Sequence, residues 1–207
     1  NFPEKYKKKT YEVGTILNKR IINCSPFNED NDKRKFSILV LGGSQGAKIF
    51  GKIIPAVIKM IKDEGYEMEI NQQCTMGQKN SLIDFYKKNN IKNYIFEFDK
   101  DILKLLLSSN IAITRCGAST MAELVHTLTP FIAVPLPDSI DNHQYLNAKY
   151  YENEGYCWLL EQSKFNTHNL YNLIMETIKN KNKLENIHKN MKKNQKKDVY
   201  NKIENEI

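Results

Sequence analysis

The four cysteines, Cys24, Cys74, Cys116 and Cys157, form no C-x-x-C pair and have no histidine at metal-ligand spacing. That excludes a zinc ribbon or a dithiol centre and is expected of a chain kept in a reducing cytoplasm. No apolar run approaches the ~20 residues needed to cross a bilayer, and Asn1-Phe2-Pro3-Glu4-Lys5 does not read as a signal peptide. A soluble chain, able to touch a membrane surface, is the expectation. No G-x-G-x-x-G follows Leu41, and Asn71 and Gln72 stand where a nicotinamide-binding domain closes its second strand with an acid. None of the usual nucleic-acid motifs is present, and Tyr200 is the one aromatic residue in the basic tail, so no nucleic-acid partner is expected.

With 207 residues, 41% of them hydrophobic, the chain can bury one good core. Its formal net charge of +7 comes largely from Lys5 to Lys9 and from the lysine- and asparagine-rich stretch Lys179 to Lys202. Such runs read first as solvated helix faces. A second reading is attraction to an anionic membrane surface, since each lysine near such a surface contributes about 1 kcal/mol.

Strand and helix signals alternate. Ile38 to Leu41 reads as a buried strand, followed by a helix from Gln45 to Asp63 with Ile49, Ile53, Ile54, Val57, Ile58 and Ile61 on one face and Gly65 as its stop. Further strands are expected at Glu67 to Asn71, Tyr94 to Phe98, Ile111 to Thr114, Phe131 to Val134 and Tyr156 to Leu160. Helices are expected at Ser81 to Lys88, Asp101 to Ser108, His143 to Asn153 and in the remainder. This rhythm predicts an α/β, doubly wound parallel sheet of Rossmann type, with ligands at the carboxyl ends of the strands. Residues 1–34 lack the rhythm and read as a linker remnant, 35–180 as the domain, and 181–207 as a basic helical tail. A chain that opens on Asn1 in this way is expected to be a piece of a longer protein.

Two strand-to-helix junctions are built to meet an anion. In Thr114-Arg115-Cys116-Gly117-Ala118-Ser119-Thr120-Met121-Ala122-Glu123, a small-residue turn opens a helix whose free N–H groups and positive end suit a phosphate, with one carboxylate in its first turn to accept hydrogen bonds from sugar hydroxyls. In Leu41-Gly42-Gly43-Ser44-Gln45-Gly46-Ala47, glycines let the backbone approach a ligand closely. The pair suits a nucleotide sugar.

These motifs, G-G-S-Q-G-A and R-x-G-A-S-T-x-x-E, followed by H-Q-x-x-N-A at His143 to Ala148, stand in one order and at one spacing. In this the chain resembles the C-terminal half of the MurG family, from about Val13 to about Lys179. The resemblance implies the C-terminal domain of a GT-B type glycosyltransferase. It would be inverting and metal-independent, take UDP-N-acetylglucosamine as donor and lipid-linked muramyl-pentapeptide as acceptor, and work peripherally on the cytoplasmic face of the bacterial inner membrane. No resident cofactor is implied, and the catalytic base and acceptor surface belong to an N-terminal half. An alternative is a separate nucleotide-sugar-binding subunit acting with a membrane partner, as in the family's eukaryotic two-chain relatives.

The resemblance assigns donor binding residue by residue, and each residue also has a plainer reading. Ser44, Gln45 and Gly46 either line the diphosphate or form a turn and N-cap. Ala118, Ser119, Thr120, Met121 and Ala122 either meet phosphates and sugar or open a helix that Ser119 or Thr120 caps. Glu123 either accepts from the ribose hydroxyls or is held by the helix end. Gln144 reads the sugar hydroxyls, as an amide that donates and accepts, while His143 orients the loop or caps its helix. Asp99 would meet the uracil ring through its backbone, and Asp99-Lys100-Asp101 is read as capping rather than as a D-x-D metal motif.

One departure concerns charge. Gly14-Thr15-Ile16-Leu17-Asn18 stands where the family carries an arginine that reaches the diphosphate. Asn18 is neutral, so Lys19 or Arg20 would have to supply the charge after a small backbone shift. Arg115 reads equally as structural or as phosphate-facing.

Overall fold

The computed structural model describes residues 15–24, 35–43 and 48–194. Its centre is a six-stranded parallel sheet in the order β3-β2-β1-β4-β5-β6, with strands β1 (Lys35–Leu41), β2 (Glu67–Gln73), β3 (Lys92–Phe96), β4 (Ile111–Thr114), β5 (Phe131–Ala133) and β6 (Cys157–Leu159). The order reverses between β1 and β4, and this is the switch point at which such sheets bind ligands. The doubly wound fold expected from the sequence is therefore the one observed.

Alternation along each strand divides the core in two. Ile38 and Val40 of β1, Ile111 and Ile113 of β4, and Ile132 of β5 point to one face, where helices α2 (Lys48–Asp63), α3 (Lys79–Lys88) and α7 (Thr167–Lys179) cover them. Leu39, Leu41, Ala112, Phe131 and Ala133 point to the other face, against α4 (Ile102–Ser108), α5 (Ala118–His126), α6 (His143–Asn153) and α8 (Lys181–Asn194). Helix α8 contributes Ile187 and Met191 to that second core, so its lysines are the outer face of a packed helix. A short helix, α1 (Lys19–Ile22), lies by α5, where the His126 ring meets the Ile22 carbonyl at 3.3 Å.

Most expected elements lie where the sequence puts them, with a shift at β3. It runs from Lys92 to Phe96 and leaves Phe98 in the following loop, 76% exposed. At the edge of the sheet its ladder follows β2, pairing Glu69 with Lys92 and Gln73 with Phe96. Lys92 and Lys35 both pair with Glu69 across the three strands.

The polar residues of β2 are buried. Asn71 reaches the Ser37 hydroxyl at 3.5 Å, and Gln72 accepts from the Tyr86 hydroxyl at 2.7 Å. Tyr86 is fully buried, and its pKa is pushed far up by desolvation, so it is a permanent donor. The Gln72 Nε2 has no partner among the described residues. Removing the Tyr86 hydroxyl would orphan the other end of the same amide. Tyr86→Phe is expected to cost ~1–3 kcal/mol in chemical denaturation. Adding Gln72→Leu should recover most of that; a single variant as stable as wild type would contradict the pairing.

Candidate functional site

All six strands send a residue or loop to a cavity of about 890 Å3 at their carboxyl ends. Gly42 and Gly43 follow β1, Gln73 ends β2, Phe98 and Asp99 follow β3, Arg115 and Gly117 to Thr120 follow β4, and Leu136 and Gln162 follow β5 and β6. Gly43 sits at φ +75°, a left-handed conformation that glycine adopts without strain. The expected contacts from Ser44, Gln45 and Gly46 lie outside the described residues.

Helix α5 opens onto this cavity without a cap. Its N-cap is Gly117, no side chain bonds the first turn, and the first helical hydrogen bond runs from Met121 N to Gly117 O at 3.1 Å. The N–H groups of Ala118, Ser119 and Thr120 are therefore left for a ligand. Gly117 has ordinary dihedrals (φ −70°, ψ 136°) and open space around it, so any residue would fit there sterically. What glycine provides is the absence of a side chain that would take those donors itself. Neither Ser119 nor Thr120 acts as the cap; both line the cavity. The helical period turns Met121 away into the second core, where it is fully buried, and Ala122 is also off the lining.

Glu123 lies in the second turn of α5 rather than the first, so the helix end does not account for its charge. It lines the cavity half-buried, and no hydrogen bond or ion pair reaches its carboxylate among the described residues. Desolvation raises its pKa above the ordinary value.

Gln144 has a narrower role than an amide that donates and accepts at once. Its Oε1 accepts from the backbone N–H of Cys116 and of Leu136, both at 3.1 Å. The reverse orientation would set an NH2 group against two donors, so only its Nε2 hydrogens are left for the cavity. Asn147 holds the next peptide, donating to Cys116 O at 3.1 Å. Ahead of Gln144, Asp141 and Asn142 both take positive φ, and His143 donates from Nδ1 to the Ile140 carbonyl at 2.7 Å, which fixes the turn into α6. His143 itself does not line the cavity.

Arg115 is built into the frame. Its Nη1 donates to Val134 O and Pro135 O at 3.1 Å each, its Nη2 donates to Gln162 Oε1 at 2.6 Å, and its guanidinium lies over the Phe50 ring, 5.0 Å from the centroid. Burial lowers its pKa, which leaves it cationic because arginine starts so high.

The remaining expected residues separate. Asp99 lines the cavity and its Oδ1 accepts from Asp101 N at 2.7 Å. Asp101 occupies the N-cap of α4 without capping it and pairs instead with Lys104 at 2.6 Å. No group of acids, histidines and cysteines that could hold a metal exists among the described residues. Asn18 caps α1, accepting from Arg20 N at 2.9 Å, and neither Asn18 nor Arg20 lines the cavity. Sequence reasoning missed Phe98, Lys48 and Gln162 as lining residues. Phe98 was assigned to a strand, and the other two belong to none of the quoted motifs.

Residues 37–203 match the model of the glycosyltransferase family 28 C-terminal domain. The chain belongs to that family. Among curated relatives, a Pelagibacter ubique protein named UDP-N-acetylglucosamine–N-acetylmuramyl-(pentapeptide) pyrophosphoryl-undecaprenol N-acetylglucosamine transferase is 38% identical over 181 residues, 87% of this chain and 50% of its own. A Rickettsia bellii protein of the same name is 37% identical over 193 residues, 91% of this chain and 54% of its own. The crystal structure of Acinetobacter baumannii MurG superposes with a TM-score of 0.73 at 25% identity, covering 84% of this chain and 50% of that one. The MurG resemblance read from the motifs is thus borne out, and the family 28 chain spans about half the length of the relatives it matches.

The raised pKa of Glu123 has a sign that can be tested. The folded chain holds that proton more tightly than the unfolded chain, so the ionised carboxylate counts against folding above the raised pKa. The penalty fades as pH falls through that value and is gone below the unfolded pKa of ~4.3. Glu123→Gln is expected to melt at a higher temperature than wild type at pH 7 and to lose that advantage at pH ~4. Identical melting curves at pH 7 would mean that the carboxylate is solvated.

Proposed function

We propose that this chain binds UDP-N-acetylglucosamine and serves as the donor half of a transferase that passes N-acetylglucosamine to a lipid-linked muramyl-pentapeptide. The observation that carries the reading is the uncapped α5 N-terminus and the unpartnered Glu123 on one wall of one cavity. The diphosphate takes the N–H groups of Ala118 to Thr120. An ionised Glu123, one turn further on, accepts from both ribose hydroxyls. The uracil ring lies against Phe98 and the backbone at Asp99, at the end of the cavity formed by β2 and β3. Gln144 donates from Nε2 to the sugar, at the end formed by β5. Ser44, Gln45 and Gly46, assigned to the diphosphate by the family resemblance, lie outside the described residues.

In the reaction, the 4-hydroxyl oxygen of the muramyl sugar attacks the anomeric carbon and the bond to the UDP oxygen breaks with inversion. A base outside this chain takes the hydroxyl proton. The negative charge that develops on the departing diphosphate is met by oriented N–H groups. The name of the relatives supports the two substrates, and the lining of the cavity supports the first. No helix among the described residues is long and apolar enough to cross a membrane. The lysines on the outer face of α8 suit peripheral attraction to anionic lipid at the inner membrane.

Calorimetric titration with UDP-N-acetylglucosamine, with NAD in parallel, tests the donor reading. Wild type should bind the first and not the second. Glu123→Ala should weaken binding at least tenfold, and Phe98→Ala should weaken uridine and UDP to the same degree. Binding of NAD alone, or full affinity in Glu123→Ala, would overturn the assignment.

A further inference from the structure

A sugar-linked diphosphate carries a negative charge on each phosphate, and the arginine that the resembled family places at position 18 is absent here. The Asn18 side chain is occupied in capping α1, and Arg20 is exposed outside the cavity. Among the described residues two cations line the cavity, Lys48 and Arg115. They differ in what they have left to give. Arg115 is half-buried with three of its hydrogens on fixed protein acceptors. Lys48 is exposed, and among the described residues nothing pairs with its ammonium, so all three of its donors are unengaged.

Lys48 is flexible at its tip but anchored at its base. Its carbonyl accepts from Gln78 Nε2 at 3.0 Å, and Gln78 in turn meets the Thr75 hydroxyl at 3.3 Å. The Gln78 amide lies against the first turn of α2 at Gly51, where an added Cβ would come within 2.4 Å of Nε2. Gly51 therefore makes room for the support that holds the turn carrying Lys48.

We propose that Lys48 supplies the mobile positive charge for the ligand's diphosphate that position 18 does not, with Gln78 holding its helical turn in place. The inference rests on the donor-site reading above. A lysine on four carbons can follow the diphosphate as it leaves, which a guanidinium bonded to three protein acceptors cannot do without breaking them.

The test is titration of wild type, Lys48→Gln and Lys48→Arg with UDP-N-acetylglucosamine, UDP and uridine at two salt concentrations. Lys48→Gln is expected to bind both diphosphates roughly tenfold more weakly, to bind uridine unchanged, and to show a shallower salt dependence. Lys48→Arg should keep most of the affinity. If wild type binds UDP and Lys48→Gln matches it, or if uridine is weakened as much as UDP, Lys48 does not serve the diphosphate. If wild type binds none of the three, the donor-site reading fails and this inference fails with it.

Discussion

The cavity depends on a single oxygen that two loops share. Gln144 Oε1 accepts from the N–H of Cys116, in the loop after β4, and from the N–H of Leu136, in the loop after β5. Those loops come from neighbouring strands and would otherwise diverge over the edge of the sheet. Arg115 grips the second loop from the other side by the carbonyls of Val134 and Pro135, and Asn147 grips the first by the Cys116 carbonyl. Gln144 and Arg115, which flank the start of α5, are thus both tied to the loop after β5. Preorganisation of this kind is what lets N–H donors stabilise charge without first having to move.

Much of this was legible because buried parallel strands read as short continuous apolar runs. Ile38 to Leu41 and Ile111 to Thr114 were placed within a few residues, and the apolar period of α2 was visible through Pro55. The β3 edge was harder to place because Tyr94, Ile95, Phe96 and Phe98 carry apolar and aromatic character over a longer stretch than the ladder uses. Its end is decided by where the β2 partner ends, at Gln73, which no local pattern records.

The site was legible in type and less so in role. A carboxylate near the start of α5 is visible in the motif, yet its raised pKa follows from half-burial in the cavity wall, which the motif does not record. Arg115 reads equally as structural or as phosphate-facing until Val134, Pro135 and Gln162 are brought to it from positions far along the chain. Met121 belongs to the same motif as Ser119 and lies on the opposite face of the helix. Sequence adjacency groups residues that the helical period separates, while the loops' hydrogen bonds join residues that sequence keeps apart.

The glycine at position 117 carries a consequence for how this chain can change. Serine, threonine, aspartate or asparagine would fit there and would stabilise the helix by roughly a few tenths of a kcal/mol through its own first turn. Such a side chain would act as a tethered competitor, present at a local concentration that no free nucleotide matches. The simplest stabilising substitution in α5 is therefore a self-inhibiting one, and selection for a sturdier fold is expected to find its gains on the far side of the sheet, in α3 and α7, which do not line the cavity.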